Sequence, residues 1–387
     1  MTGTTMDSAT EARARDLLDQ AEVFAREVIA PRAAAWDRAD AFAAATLREA
    51  ASLGWLGLQV PQAHGGLGLP FSVKSRLTEV LAGADFGFAL SLVNTMNIGH
   101  KLVRDATHLA DRYLPDLLSG ARLASTALTE PGAGTDFAAI RTTATRGVGG
   151  WRLDGQKAWI INAAASDLIL TYAQTEPGSR GAGIAAFLVD GQRAGFTRAE
   201  RFALTGQHSI GAGGFALDGY VAAEDEMVQA PGQAFKFALG DINGARTYVA
   251  AMCCGMVDAC LRIAADYGRR RQTFGQRLVD HQGWRWALGD ADIDLAAARG
   301  LVRQAEALVD AGADARGAAA RAKVFATRMA ERHIPALGQA MGAEGRRAEH
   351  PFGRHALSAR ISGLVDGSSE ILLDGLSLRH AKAPQET

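Results

Sequence analysis

Apolar residues recur every three or four positions along the first third of the chain, which is the spacing of one buried face of an α-helix. Loops rich in proline and glycine, such as residues 61–68, interrupt this pattern. We therefore predict an N-terminal helical domain over residues 1–120. The helical runs are residues 17–29, 44–53, 72–83 and 86–118.

The pattern changes between residues 121 and 231, where short apolar runs are separated by turn residues. Two Asp-Gly pairs, Asp154-Gly155 and Asp218-Gly219, are flanked by apolar residues, and such pairs are typical of β-hairpin turns. The sequence thus predicts a small antiparallel β domain over residues 121–231.

Helical spacing returns after residue 232 and continues in two long runs, one through Val249, Met252 and Cys260 and one over residues 284–311. These runs are long enough to form a bundle, so we predict a C-terminal helical bundle over residues 232–387. The predicted fold class is mostly α with a central β domain.

Charge and composition narrow the classes of function. The chain has 387 residues with 41 basic and 42 acidic side chains, a net charge of −1, which argues against a nucleic-acid binder or a polybasic membrane anchor. The opening residues lack the apolar core of a signal peptide, and no run of about 18 uninterrupted apolar residues follows. We expect a cytoplasmic protein that does not span a membrane.

The cysteines and histidines do not suggest a metal site. Cys253, Cys254 and Cys260 lie within one apolar helical pattern, without a C-x-x-C pair, and an H-E-x-x-H motif is absent. We predict that the cysteines are core residues and that no metal is bound.

Three segments carry side chains suited to ligand chemistry, and each also has a purely structural interpretation. Residues 129–136 combine small residues and hydroxyls that suit a flat ligand, or form a Pro-Gly turn. Residues 269–275 place three arginines before Phe274, which suits a diphosphate, or end a helix. At residues 366–370, Asp366 is a candidate base, or a helix N-cap with Glu370 in the first turn.

Taken together and in order, these motifs resemble the acyl-CoA dehydrogenase family of flavoproteins over nearly the whole chain. The resemblance extends to W-x-L-D-G-x-K-x-W-I-x-N at residues 151–162. The other matching segments are residues 53–68, 128–136, 267–275, 281–282, 339–342 and 366–371.

The resemblance implies non-covalently bound FAD and a homotetramer or homodimer whose subunits share the cofactor site. The residues implied for the flavin are Thr129, Gly134, Thr135 and the stretch from Trp159 to Ile161. Those implied for the nucleotide half are Arg271, Phe274, His281, Gln282, Gln339, Gly342, Ser368 and Glu370.

The family reaction implies removal of a proton α to a thioester carbonyl while hydride leaves the β carbon for flavin N5. Asp366 stands where most of the family carries a glutamate base. Thr135, Asn243 and Arg246 are implied as substrate-binding residues. The substrate is expected to be an acyl-CoA or an acyl-carrier-protein thioester, and the electron acceptor an electron-transfer flavoprotein.

Several positions depart from the family pattern. Ile161 replaces the hydroxyl that bonds flavin N5, Asn243 replaces an acid on the pantetheine side, and Ala245 provides no alternative base. Two other readings therefore stay open at this point. One is a flavin oxidase similar to nitroalkane oxidase, which also uses an aspartate base, and the other is an FAD-binding protein without turnover.

Overall fold

The computed structural model describes residues 7–381 and confirms the predicted class, with helices at both ends of the chain and a β-sheet between them. The N-terminal helices are α1 Ser8–Phe24, α2 Ala30–Arg38, α3 Ala44–Ser52, α4 Phe71–Ala84, α5 Phe86–Asp105 and α6 Thr107–Ser119. The strands of the central sheet are β1 Leu123–Ala127, β2 Thr143–Gly147, β3 Gly150–Ile160, β4 Ser166–Gln174, β5 Ile184–Asp190, β6 Phe196–Arg198, β7 Gly213–Ala222 and β8 Met227–Gln229. The C-terminal elements are α7 Ala234–Arg270, β9 Gln272–Thr273, β10 Gln276–Arg277, α8 Gln282–Asp310, α9 Arg316–Ala340, α10 Phe352–Ser362 and α11 Ser369–Ala381.

The central sheet is mainly antiparallel, with the strand order β6-β7-β3-β2-β4-β5-β8, and β1 adds to it by pairing parallel to β4. The prediction of a purely antiparallel domain missed this parallel pairing. A parallel neighbour needs a long connection, and β1 is joined to β4 through β2 and β3.

Both predicted Asp-Gly hairpin turns are wrong. Asp154-Gly155 lies inside β3 and Asp218-Gly219 lies opposite it inside β7, where the register shifts. The Asp154 carboxylate accepts a hydrogen bond of 2.7 Å from the Gly219 amide, so the two pairs form a bulge across two strands. The turn that joins β2 to β3 is at residues 148–149 instead.

The long helix α7 is the centre of the C-terminal domain and packs against α4, α8 and α9. By length and composition it could cross a membrane, but 67% of its most apolar window is buried inside the protein, which is typical of a core helix. Cys253, Cys254 and Cys260 lie on this helix and are fully buried, as predicted. The helix is therefore held by packing on several sides, and it brings its polar residues to a fixed place between the domains.

Candidate active site

A cavity of about 1040 Å³ lies where the N-terminal helices, the sheet and the C-terminal bundle meet. Its walls come from α4, α5, the end of β3, the middle of β4, the first half of α7, the connection from α8 to α9 and the loop before α11. Of the residues predicted for the site, the cavity walls include Thr129, Trp159, Ile161, Asn243 and Asp366. Residues far apart in the sequence thus meet at one cleft.

Asp366 lies on the loop between α10 and α11 and faces the cavity. Its φ is 54° and that of Gly367 is 94°, so the chain turns sharply through two left-handed residues. Within residues 7–381 its carboxylate makes no hydrogen bond, and burial raises its pKa, against the opposing effect of Lys323 and Arg246. This carboxylate is free to accept a proton from a ligand.

Asp366 is not the N-cap of the last helix. That helix begins at Ser369, and the Ser368 hydroxyl accepts a hydrogen bond of 3.5 Å from the Ile371 amide. Ser368 therefore takes the capping position, and the alternative interpretation of Asp366 as a helix cap does not hold.

Two cations, the buried Lys323 and the half-buried Arg246, hold the Asp366 loop through its backbone. Arg246 Nε donates to the Asp366 carbonyl at 3.0 Å, and Lys323 Nζ donates to the carbonyls of Val365 and Gly367, the latter at 2.5 Å. Lys323 is fully buried, and burial lowers its pKa to about 8. Both cations bind main-chain oxygens, so they fix the loop and leave the carboxylate side chain open.

Asn243 reaches the cavity from α7, three residues before Arg246 on the same helix face. Its side-chain oxygen accepts a hydrogen bond of 3.0 Å from Arg246 Nη1. Arg246 itself is absent from the lining of the cavity and lies behind the loop. In this structure Arg246 contacts the Asp366 backbone, and its substrate-binding role stays a prediction.

The loop after β1 is attached to the sheet by a buried ion pair. Lys157 Nζ on β3 lies 2.8 Å from Glu130 Oε1, and the same carboxylate accepts hydrogen bonds from the amides of Arg141 and Thr142. Lys157 also donates to the Leu128 carbonyl at 3.2 Å. The pair fixes the residues on either side of Thr129, which lines the cavity.

The end of β3 presents an open surface to the cavity. Trp159 is 58% exposed, has a φ of 61°, and packs on the Phe202 ring with 4.5 Å between centroids. Asn162 is buried and donates to the Ser91 carbonyl on α5 at 2.8 Å, which anchors the end of the stretch. Ile161 also lines the cavity, and its side chain has no group that donates a hydrogen bond.

The segment around Gly134 and Thr135 has open space beside its backbone, although neither residue lines the cavity. A side chain at Gly132 would meet no atom within 4 Å, and one at Gly134 would meet only Thr129. The hydroxyls of Thr129 and Thr135 make no hydrogen bond to any residue that the structure describes. Open backbone and free hydroxyls of this kind suit a flavin edge.

Most of the residues predicted for the nucleotide half are exposed, and none of them lines the cavity. His281 is held beside the β9–β10 hairpin by Thr273 and Gln276, at 3.2 and 3.0 Å, and Phe274 is 98% exposed. This places one group at the hairpin and the start of α8. The exposed members of the predicted set are Arg271, Phe274, Gln282, Gln339, Gly342 and Glu370, while Ser368 is half-buried.

Sequence reasoning missed several residues that build the site. Lys323 and Lys74 lie on the buried faces of α9 and α4, and Tyr248 on that of α7. A signal was available for the two lysines, since a charged residue at an apolar position of a helical pattern is rare unless it has a partner. Their partners lie on other elements, which a helical pattern does not reveal.

Comparison with known proteins gives consistent matches along the chain. The N-terminal, middle and C-terminal domain models of acyl-CoA dehydrogenases match residues 11–121, 125–220 and 232–379. An acyl-CoA dehydrogenase of Bacillus subtilis is 30% identical over 355 residues, covering 90% of this chain and 92% of the relative. A benzylmalonyl-CoA dehydrogenase of Aromatoleum aromaticum is 30% identical over 370 residues, covering 95% and 97%.

The fold is likewise similar to solved structures. The butyryl-CoA dehydrogenase of Megasphaera elsdenii superposes with a TM-score of 0.92 at 28% identity, covering 99% of this chain and 100% of that one. The likeness therefore includes all three parts of the chain and their arrangement around the cavity.

Proposed function

The chain belongs to the acyl-CoA dehydrogenase family, whose members are FAD-dependent oxidoreductases acting on CH–CH groups, and we propose that it dehydrogenates an acyl thioester with Asp366 as the base. The observation that carries the proposal is the Asp366 carboxylate on the cavity wall, without a side-chain partner within residues 7–381. A thioester carbonyl acidifies the neighbouring α C–H, and a carboxylate that faces it accepts the proton.

The surroundings of Asp366 suit this role in two ways. Burial raises the pKa of the carboxyl, which brings its basicity closer to that needed at neutral pH. The bonds from Arg246 and Lys323 to the loop backbone restrict where the carboxylate can lie, and a fixed base is more effective than a mobile one.

The residues around the inner end of the cavity fit FAD. Thr129, Trp159 and Ile161 would lie against the flavin, with Gly134 and Thr135 at its edge, as the open backbone at residues 132–134 supports. When bound, FAD supplies an acceptor for the hydride that leaves the β carbon. Because Ile161 has no hydroxyl, any hydrogen bond from this position must come from its backbone amide.

We also propose where the rest of the cofactor and the partners bind. The nucleotide half would contact Arg271, Phe274, His281 and Gln282 of one subunit, with Gln339, Gly342, Ser368 and Glu370 completing the site across a subunit boundary. Their exposure in a single chain supports a homotetramer or homodimer. The thioester is that of CoA or an acyl-carrier protein, the electron acceptor is an electron-transfer flavoprotein, and the compartment is the cytoplasm.

Anaerobic mixing of the FAD-loaded protein with a panel of acyl-CoAs tests the proposal. We expect at least one acyl-CoA to bleach the flavin absorbance. When air is then admitted, peroxide should form much more slowly than the enzyme turns over. Flavin reduction by a nitroalkane, with stoichiometric peroxide in air, would indicate an oxidase instead. A flavin that no thioester and no nitroalkane reduces would indicate a protein that binds FAD without turnover.

A further inference from the structure

The cavity has a polar end far richer in hydrogen-bonding groups than a hydrocarbon chain requires. This polar end, formed by Lys74, Asn94, Asn97, His100 and Tyr248, is contributed by α4, α5 and α7. A saturated acyl chain offers no partner for such groups, and burying them unpaired against it is unfavourable. The hydrogen-bonding groups of the polar end therefore indicate an acyl group that has polar atoms of its own.

Lys74 is the central residue of the polar end. It is 5% exposed, and its Nζ donates to the Asn97 side-chain oxygen at 3.0 Å. The same ammonium lies 5.1 Å from the ring centroid of Phe71 and 5.7 Å from that of Tyr248. Within residues 7–381 no carboxylate forms an ion pair with it, and its direct contacts are a neutral amide and two aromatic rings.

The nearest acids are engaged by other groups. Asp241 binds Lys101 at 2.8 Å and Arg104 at 3.1 Å, and Asp310 accepts the backbone amide of Phe71 at 2.7 Å. Neither is within ion-pair distance of Lys74 in the part of the chain that the structure describes. Burial without such a partner lowers the pKa of Lys74 to about 7.

A neighbouring side chain leaves a further donor for an anion. The Asn97 amide donates to the Tyr248 hydroxyl oxygen at 3.2 Å, so the hydroxyl hydrogen of Tyr248 remains available. His100 Nδ1 is buried without a hydrogen-bond partner among the described residues. Burial lowers the pKa of His100 to about 4, so its imidazole is neutral, and its other ring nitrogen hydrogen-bonds to the Gln59 backbone, which leaves Nδ1 as an acceptor. The ammonium of Lys74 and the phenol of Tyr248 form a donor pair that matches a carboxylate.

Tyr248 connects this donor pair to the proposed base. It lies two residues after Arg246 along α7, and the Asp366 charge contributes to raising the pKa of Tyr248. A single extended ligand in the cavity would therefore have Asp366 beside its reacting carbons and Lys74 beside its far end.

We propose that the acyl group of the substrate ends in a carboxylate, which binds Lys74 together with Tyr248. This inference rests on the proposed function, and it specifies the substrate class as the monothioester of a dicarboxylic acid. The ligand carboxylate supplies the anionic partner that Lys74 lacks in the protein.

The test compares two thioesters of similar length, glutaryl-CoA and hexanoyl-CoA, that differ in the terminal carboxylate. Reduction of the bound flavin is followed anaerobically, and the ratio of the two second-order rate constants is measured. We expect the wild-type protein to prefer glutaryl-CoA, and Lys74→Met to lower that ratio by at least about 30-fold, since a buried charge partner is removed. Lys74→Arg keeps the cation and should retain most of the preference.

Arg48→Met is the matched control, because it removes one cation from the exposed face of α3, outside the cavity lining. Its ratio should equal that of the wild type. Each variant is first checked for bound FAD and for its thermal midpoint, so that a folding defect is recognised. A preference for hexanoyl-CoA in the wild type, or an unchanged ratio in Lys74→Met, overturns the inference and leaves the proposed function standing. Failure of every thioester to reduce the flavin removes the proposed function itself.

Discussion

A single aspartate in a strained turn distinguishes this cavity from an ordinary ligand pocket. Asp366 and Gly367 both adopt positive φ, and a side chain added at Gly367 would come within 3.2 Å of Arg246. Positive φ in a non-glycine residue costs about 1 kcal/mol or more and persists only where surrounding contacts impose it. Here the hydrogen bonds from Arg246 and Lys323 to the loop carbonyls impose the positive φ. The strained turn lowers the stability of the fold slightly and fixes the orientation of one carboxylate.

Replacing Asp366 by Asn should lower the rate of flavin reduction by acyl-CoA about 10²–10⁴-fold, because an amide does not accept the α proton. Bound FAD should remain, since the side chain makes no hydrogen bond within residues 7–381 whose loss would unfold the site. Stopped-flow reduction and the flavin absorbance measure the two effects. Asp374→Asn, an exposed position on the same final helix, is the control. Rapid reduction by the Asp366→Asn protein would exclude Asp366 as the base.

The dependence of the rate on pH should report Lys323. The proposed base must be ionised, so the rate rises with pH through the pKa of Asp366, and the Lys323 cation lowers that pKa. Lys323→Met removes the cation and should move the acid limb to higher pH by about one unit. The effect is largest below pH 8, where Lys323 is protonated, because its own pKa is about 8.

Lys323→Arg keeps the charge and separates this electrostatic effect from loosening of the loop. The acid limb of its pH profile should stay close to that of the wild type. The profile is measured as kcat/KM at a series of pH values from the acid range to neutral pH. If both variants shift the limb equally, the charge of Lys323 does not act on Asp366.

Among the secondary-structure elements, β3 is connected to the loop after β1 by one buried ion pair. Glu130 binds Lys157 and two backbone amides while almost completely buried. Burial lowers the pKa of Lys157 to about 8, and the Glu130 carboxylate opposes this, so the lysine stays charged near neutral pH only with its partner.

Glu130→Gln should therefore lower the stability of the fold by about 3–5 kcal/mol, because it leaves the Lys157 cation buried without an anion. The expected result is a lower thermal midpoint and weaker retention of FAD, since Thr129 borders the same loop. Differential scanning calorimetry measures the thermal midpoint, and the release of flavin on dilution measures the retention of FAD. Glu200→Gln, at an exposed position of the same domain, should change neither. An unchanged midpoint in Glu130→Gln would mean that Lys157 is discharged or solvated.

Helices were predictable from the sequence, whereas the contacts between elements were not. The 3.6-residue period located α4 and α8 to within a few residues, because packing of one face decides both the pattern and the helix. The prediction of a hairpin turn at Asp154-Gly155 was wrong, because glycine is favoured both in a tight turn and in a β-bulge. Asp366 was identified through its motif, but Lys323 and Lys74 acquire a function only from distant chain segments.

On the outside of the C-terminal bundle, exposed apolar side chains lie on the same elements as residues predicted to bind the cofactor. Phe274 is 98% exposed, and Trp286 and Ile293, seven residues apart on α8, are 64% and 67% exposed. Their spacing places them on one face of the helix. Large apolar side chains grouped in this way indicate a surface that is covered by another protein chain.

This surface is expected to be the contact between subunits, and its disruption should release FAD as well as dissociate the oligomer. In Ile293→Asp a carboxylate would be buried at the contact without a partner, which costs several kcal/mol. Size-exclusion chromatography with light scattering should show a smaller particle, and the flavin should elute separately, because the nucleotide half would lose the residues of the second subunit. Val148→Asp, at a fully exposed position in the β2–β3 turn, should leave both mass and flavin unchanged. If the Ile293→Asp protein has the wild-type mass and keeps its FAD, the subunit contact lies elsewhere. If it dissociates yet keeps its FAD, each chain binds the whole cofactor alone.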